Sequence, residues 1–177
     1  GAGDDVLYGG TGDDTLDGGA GRDWLSGDAG NNTYLFGRGD GADTIQPTSA
    51  RSATKFNVLQ FKDGVAAADV SVARSGNDLV LKIAGTSDSM IVNAFFEGDT
   101  TGGPTSPVQQ VRFTDGTTWE PAALMTRVLA GTDGNDWIAG SFADDVITGQ
   151  GGNDWIYGRA GNDIARGGDG SDWIYGE

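Results

Sequence analysis

Hydrophobic positions change their period twice along this chain. Near both ends a single aliphatic residue recurs every nine positions, at Leu7, Leu16 and Leu25 and again at Ile138, Ile147 and Ile156, with Ile174 in the same phase. Between these blocks the runs FNVLQF, DVSVARSG, DLVLKIAG, SMIVNAFF and VQQVRFTDG alternate apolar and polar positions and stop at Gly, Asp or Asn. Such alternation predicts short strands of an antiparallel sheet, entered through the polar stretch QPTSARSAT. Asp63-Gly64 and Asp115-Gly116 predict turns, and Pro121 before AALMTRV predicts a short closing helix with proline in its first turn. The class predicted is all-β: two parallel β-roll blocks, residues 1–45 and 130–177, flanking a small antiparallel β domain with one short helix, residues 46–129.

The nine-residue period is carried by more than the aliphatic position. The N-terminal units read GAGDDVLYG, GTGDDTLDG, GAGRDWLSG and DAGNNTYLF; from Gly131 the chain reads GTDGNDWIA, GSFADDVIT, GQGGNDWIY, GRAGNDIAR and GGDGSDWIY. Against the pattern G-G-x-G-x-D-x-U-x, the sixth position is Asp5, Asp14 and Asp23, then Asp136, Asp145, Asp154, Asp163 and Asp172. Six glycine-rich residues suit a turn in which φ > 0 is allowed and carbonyls can converge, among them those of Gly12, Gly21, Gly134, Gly152 and Gly161. The three residues x-U-x suit a short strand with U alone pointing inward. Two units then make one coil, and each turn lies over the turn two units earlier.

Composition sharpens this picture. Leu, Ile, Val and Phe make up only about a fifth of the chain, a level at which a packed core alone rarely suffices. The net charge is −15 and cysteine is absent, so neither charge balance nor disulfides supply the missing stability. A bound cation would: it neutralises crowded carboxylates, and its binding free energy adds to folding. Stacked aspartates such as Asp136 and Asp154 should lie about one strand spacing apart, roughly 4.8 Å, close enough to repel when bare. A hard divalent ion with six to eight oxygen ligands reverses that interaction, which favours Ca²⁺ over Mg²⁺ with its tight, hydrated octahedron. Shared pairs predict about three ions in the second block and about two to four in the first. The acidic balance argues against nucleic acid as a partner, and no apolar run is long enough to span a membrane.

Some units depart from the pattern. Asn32 stands where the fourth unit should have aspartate, so a site shared with Asp14 should be weaker or absent. Ala143 replaces a turn glycine, and Ala165 replaces the inward aliphatic. After Asn32 the sequence leaves strict phase, and Asp40 and Asp43 either bind a last Ca²⁺ or cap a loop as turn aspartates.

These repeats resemble the RTX, or haemolysin-type, calcium-binding repeats of exported bacterial proteins. The middle segment is similar to the haemolysin-type calcium-binding-related domain, through R-x-G-N-D-L-x-L (Arg74 to Leu81), NAFF (Asn93 to Phe96) and F-x-D-G-x-x-W (Phe113 to Trp119). The resemblance implies a parallel β-roll binding several Ca²⁺ ions and export, unfolded, by a type I secretion apparatus. It also implies folding on meeting extracellular calcium, in a secreted or cell-surface toxin, enzyme or adhesin. The residue often acidic in the first strand of the related domain is Asn57 here. The chain starts within a repeat and stops as another begins, as a piece of a longer protein would.

Enzymatic chemistry is not expected. Without histidine or cysteine, His-based triads, HExxH sites and thiol nucleophiles are excluded, and no G-x-S-x-G elbow occurs. A second function class rests on Trp137, Trp155 and Trp173, which recur at the seventh position of alternate units with Tyr157 and Tyr175 at the ninth. Eighteen-residue spacing stacks them on one outer face. That ladder is either a ligand face for a sugar or protein partner, or a face used for self-association or covered by the middle segment.

Overall fold

The computed structural model describes residues 1–47, 55–99 and 106–176, so most of QPTSARSAT lies outside the described residues. The chain forms two compact units, Gly1–Ala122 and Ala123–Glu177.

In the first unit the repeats wind as predicted. Strands β1 (Val6–Tyr8) and β3 (Trp24–Ser26) pair in parallel on one side, and β2 (Thr15–Asp17) and β4 (Thr33–Phe36) on the other. Leu7 lies opposite Leu25 and Leu16 opposite Tyr34, eighteen residues apart, so two nonapeptides make one coil. The next rung, β5 (Ala42–Ile45), is offset by twenty residues, with Ile45 opposite Leu25. Leu16, Leu25, Tyr34 and Ile45 fill the interior. Tyr34 takes an aliphatic position yet keeps its hydroxyl satisfied, accepting from the Gly27 N–H at 3.0 Å, and burial pushes its phenol up to about 12.

Sheet pairing continues across the boundary expected near residue 45. Strand β6 (Val58–Phe61) adds in parallel to β4, and β9 (Ser89–Val92) adds in parallel to β5. One sheet therefore runs β1-β3-β5-β9-β8-β7, with β7 (Val70–Ser75) and β8 (Asp78–Ile83); the other runs β11-β10-β6-β4-β2, with β10 (Gln110–Arg112) and β11 (Thr118–Trp119). The middle segment is not wholly antiparallel, which corrects the reading of its alternation. Strands β7, β8 and β9 do form an antiparallel meander, but β6 and β10 pair in parallel. Alternation reports which face is buried and carries no information on strand direction. Direction follows the last rung of the roll, an open parallel edge that β6 extends, and the long connection from β6 to β10 permits parallel pairing there too.

The quoted motifs have visible tasks. Phe61 stacks on Phe113 at 4.9 Å between centroids, and Phe113 meets Trp119 edge-on at 4.7 Å, so F-x-D-G-x-x-W supplies the aromatic core that closes the roll. Its Asp115-Gly116 turn joins β10 to β11, with Gly116 at φ 88°. In NAFF both phenylalanines are buried, and the Arg74 guanidinium lies 4.6 Å from the centre of Phe96. Arg74 thereby ties the two motifs together.

The helix α1 (Pro121–Val128) begins at proline, as predicted. The second unit stacks β12 (Trp137–Ala139), β14 (Trp155–Tyr157) and β16 (Trp173–Tyr175) on one side, and β13 (Val146–Gly151) with β15 (Ile164–Asp169) on the other. Ile138, Ile147 and Ile156 form its core with Leu129, flanked by Met125 and Ala165. Leu129 precedes Ile147 by eighteen residues, and its carbonyl accepts from the Thr148 N–H at 3.0 Å. The residue after the helix therefore serves as the first rung of the second roll, although it follows no repeat.

Candidate metal centre: the aspartate columns

Sixth-position residues form columns running along the turns. In each coil the Oδ1 of that residue accepts the backbone N–H of its counterpart one coil earlier: Asp23 from Asp5 at 2.8 Å, Asp154 from Asp136 at 2.9 Å, Asp163 from Asp145 at 3.0 Å and Asp172 from Asp154 at 3.0 Å. Asp43 joins this series by accepting from Asp23 at 3.0 Å. Asp40 does not join it. Its Oδ2 accepts from the Gly37 N–H at 2.8 Å and pairs with Lys62 Nζ at 2.8 Å, while Lys62 also reaches Asp17 at 2.7 Å. The two aspartates considered together in the sequence thus part: one aligns with the column, and the other is neutralised by a lysine.

The second carboxylate oxygen is where a cation is needed. Asp23 and Asp154 are fully buried, and the Oδ2 atoms of Asp14, Asp23 and Asp154 are buried with no hydrogen-bond partner. Leaving an ionised oxygen so placed costs several kcal/mol, roughly, unless something positive meets it. The space beside the first-position glycines is shaped by the same oxygens. A Cβ on Gly149 would lie 2.1 Å from Asp154 Oδ2 and 2.3 Å from the Gly167 carbonyl oxygen of the next coil. A cradle walled by an unpartnered carboxylate oxygen and a main-chain carbonyl fits a hard cation. Among the described residues no three acidic side chains converge, so an ion held here would draw much of its shell from backbone carbonyls, as suits Ca²⁺.

Turn glycines serve this geometry in two ways. Gly12, Gly21, Gly152 and Gly161 hold φ between 107° and 149°, which a side chain would strain. Coils also approach closely: a Cβ on Gly152 would sit 2.6 Å from the Gly134 carbonyl oxygen. Gly134 itself departs from the expected turn, since its φ lies outside the left-handed region. The reason is local. Thr132 donates its N–H (2.6 Å) and Oγ1 (3.0 Å) to Asp136 Oδ2, and the Gly134 N–H turns to Thr132 Oγ1 at 3.2 Å. Ser141 treats Asp145 in the same way, at 2.6 and 3.0 Å, in the turn where Ala143 replaces glycine. Hydroxyl residues therefore satisfy the second oxygens of this first coil, whereas Asp154 in the next has no such donor.

Three features escape the periodic pattern. Fifth-position residues, treated as free in the repeat, form a second column that accepts in the opposite direction: Asp13 from the Asn31 N–H and Asn135 from the Asn153 N–H, both at 2.8 Å. Their recurrence as Asp or Asn is the signal that could reveal them. Asp88 accepts from Gly39 and Gly41 at 2.8 and 2.9 Å; despite the opposing effect of burial, these bonds hold its carboxyl below the usual range. Asn57 and Gln109 continue a column out of phase. Asp43, by contrast, is pushed up to about 7, chiefly by burial and then by neighbouring Asp23 and Asp40.

On the outer face of the second roll, Trp137 stacks on Trp155 (5.6 Å) and Trp155 on Trp173 (5.0 Å), with Tyr157 on Tyr175 (5.0 Å). The three tryptophans remain 37–63% exposed. Because the rings face one another, they present edges outward along the ladder.

Stacked nonapeptide rungs with acidic turn columns define a calcium-binding parallel β-roll. The profile of the RTX calcium-binding nonapeptide repeat matches residues 1–34, 130–165 and 159–177, and that of the haemolysin-type calcium binding protein related domain matches residues 78–123. The chain carries haemolysin-type RTX calcium-binding repeats in two blocks around the related domain, and such repeats bind several Ca²⁺ ions. The iron-regulated protein FrpA of Neisseria meningitidis serogroup C is 34% identical over 84 residues, which are 48% of this chain and 7% of that protein. The crystal structure of extracellular lipase LipA from Serratia marcescens covers 93% of this chain and 26% of its own, at 19% identity and a TM-score of 0.35, a likeness too slight to bear on activity. No helix among the described residues is long and apolar enough to cross a membrane.

Proposed function

We propose that this chain is a calcium-folded module of an exported protein, disordered where Ca²⁺ is scarce and ordered by extracellular Ca²⁺. The observation that carries this reading is the buried, unbonded Oδ2 of Asp14, Asp23 and Asp154. Without cations these oxygens oppose folding; with them, the same atoms hold adjacent coils together. Asp5, Asp14, Asp23, Asp43, Asp136, Asp145, Asp154, Asp163 and Asp172 are the ligand carboxylates in this reading, helped by carbonyls of the turn glycines. Asp40, held by Lys62, is left out. Extracellular modules with oxygen ligands bind at about 10⁻⁴ to 10⁻³ M, so cytosolic chains stay unfolded and competent for type I secretion. The role is structural and not catalytic, in keeping with two matched families that are both named for calcium binding. Far-UV circular dichroism against Ca²⁺, repeated with Mg²⁺, tests it: strand signal should rise cooperatively with Ca²⁺ only, and equal effects of both ions would refute the ion assignment.

A second reading is favoured by the exposure of the stacked tryptophans. The ladder of Trp137, Trp155 and Trp173 with Tyr157 and Tyr175 serves as an adhesive face for a sugar or protein ligand, displayed only once calcium has aligned the coils.

A further inference from the structure

Beyond Asn32 the first unit replaces carboxylates with amides along one whole column of turns. Asp14 donates its N–H to Asn32 Oδ1 (2.9 Å), Asn32 to Asn57 Oδ1 (2.8 Å) and Asn57 to Gln109 Oε1 (2.8 Å). The acceptor half of the column is therefore conserved in geometry from acid to amide. The other half changes sign. Asn32 Nδ2 donates to the Gly27 carbonyl at 2.9 Å, Asn57 Nδ2 to the Pro107 carbonyl at 2.8 Å and Gln109 Nε2 to the Ser106 carbonyl at 2.7 Å.

The comparison with an acidic turn is direct. A Cβ on Gly27 would meet Asn32 Nδ2 at 2.5 Å, whereas a Cβ on Gly18 would meet Asp23 Oδ2 at 2.1 Å. The amide nitrogen thus sits where an acidic turn places its unbonded oxygen. An oxygen facing a carbonyl oxygen needs a cation between them; an N–H facing that carbonyl needs nothing. Asn32 and Asn57 are fully buried, and a neutral amide with both ends bonded is held there without the penalty of a buried charge. Lys62, between Asp17 and Asp40, removes a further need for an ion at the same end of the roll.

We propose that Asn32, Asn57 and Gln109 form an ion-free column, so that beyond Asp14 calcium in the first unit is confined to the opposite column of Asp5, Asp23 and Asp43. The closing end of this roll then stays joined to the middle segment when calcium is withdrawn, and serves as the template on which the calcium-dependent coils refold. This rests on the calcium reading of the acidic columns.

Hydrogen exchange on the full chain, with Ca²⁺ and with EGTA, tests it at single amides. In EGTA the N–H groups of Asn32 and Asn57 should keep protection at least about tenfold above those of Asp136 and Asp154. Equal loss at all four would overturn the ion-free column while leaving the calcium reading intact; equal retention at all four would overturn both. Native mass spectrometry provides an independent arm. Asn32→Asp should raise the number of bound Ca²⁺ by one, and an unchanged count in a folded variant would contradict the proposal.

Discussion

The backbone N–H of Asp136 donates to Oδ1 of Asp154, the equivalent residue one coil on, at 2.9 Å, while Oδ2 of Asp154 is buried with no partner. One carboxylate thereby does two jobs: it stitches coil to coil by a hydrogen bond, and it leaves an oxygen that a cation must meet. The first job needs no ion, and the second makes folding depend on one.

Removing that carboxylate should therefore be costly in both respects. Asp154→Ala is expected to raise the Ca²⁺ concentration needed to fold the second unit by about tenfold or more, since a buried charge-assisted contact is lost on both sides of the turn. Asp115→Asn, in an exposed hairpin turn outside the columns, should leave the midpoint unmoved. Calcium titration followed by tryptophan circular dichroism measures both.

Glycine substitutions should separate close approach from turn shape. Gly149 lies outside the left-handed region, yet a Cβ there would enter the space between Asp154 Oδ2 and the Gly167 carbonyl. Gly149→Ala is expected to destabilise the calcium-loaded chain by about 1–3 kcal/mol. Among the described residues, a Cβ on Gly134 would meet only Thr132 Oγ1, at 3.6 Å, so Gly134→Ala should be neutral or stabilising by up to about 1 kcal/mol. Thermal unfolding in excess Ca²⁺ reads the difference.

The stacked aromatic face should matter less to ion binding than the turns do. Trp155→Ser removes two Trp–Trp stacks and the contact with Tyr175, all on the solvent side of the roll and away from the turns. If the face is adhesive, Ca²⁺ affinity should barely change. A large loss of folding in calcium titrations would assign the ladder to stability instead.

Asp43 gives the metal-free chain a pH dependence of defined sign. Its carboxyl titrates at about 7 in the folded unit and at 3.8 ordinarily, so between these values the folded state holds the extra proton. Stability then falls as pH rises from about 4 to about 7. Without divalent ions the first unit should show more strand signal at pH 5 than at pH 8, and excess Ca²⁺ should shrink or reverse that difference.

Much of this was legible in the sequence because the roll is periodic. Asp5, Asp14 and Asp23 fall at one phase, and the structure pairs the strands that follow them at the eighteen-residue offset this phase predicts. The legible part ended where the period did. The step of twenty-five residues from Asn32 to Asn57 hides a column member, and the step of twenty to Asp43 left open whether that residue meets an ion or caps a loop, because both alignments depend on loops of irregular length. Strand direction in the middle segment was hidden for another reason: β6 and β10 take theirs from the rung they extend, which alternation does not encode. Leu129 was missed because it directly follows a helix and yet fills a repeat position.

The central claim is that calcium, by meeting the free oxygens of stacked aspartates, is what aligns the coils. The stacking of Trp137, Trp155 and Trp173 reports that alignment, because exciton coupling between the indoles requires adjacent coils in register. Circular dichroism of the tryptophan bands should show that coupling in millimolar Ca²⁺, lose it in EGTA and regain it when Ca²⁺ but not Mg²⁺ is restored. An undiminished coupled band after complete chelation would contradict the account.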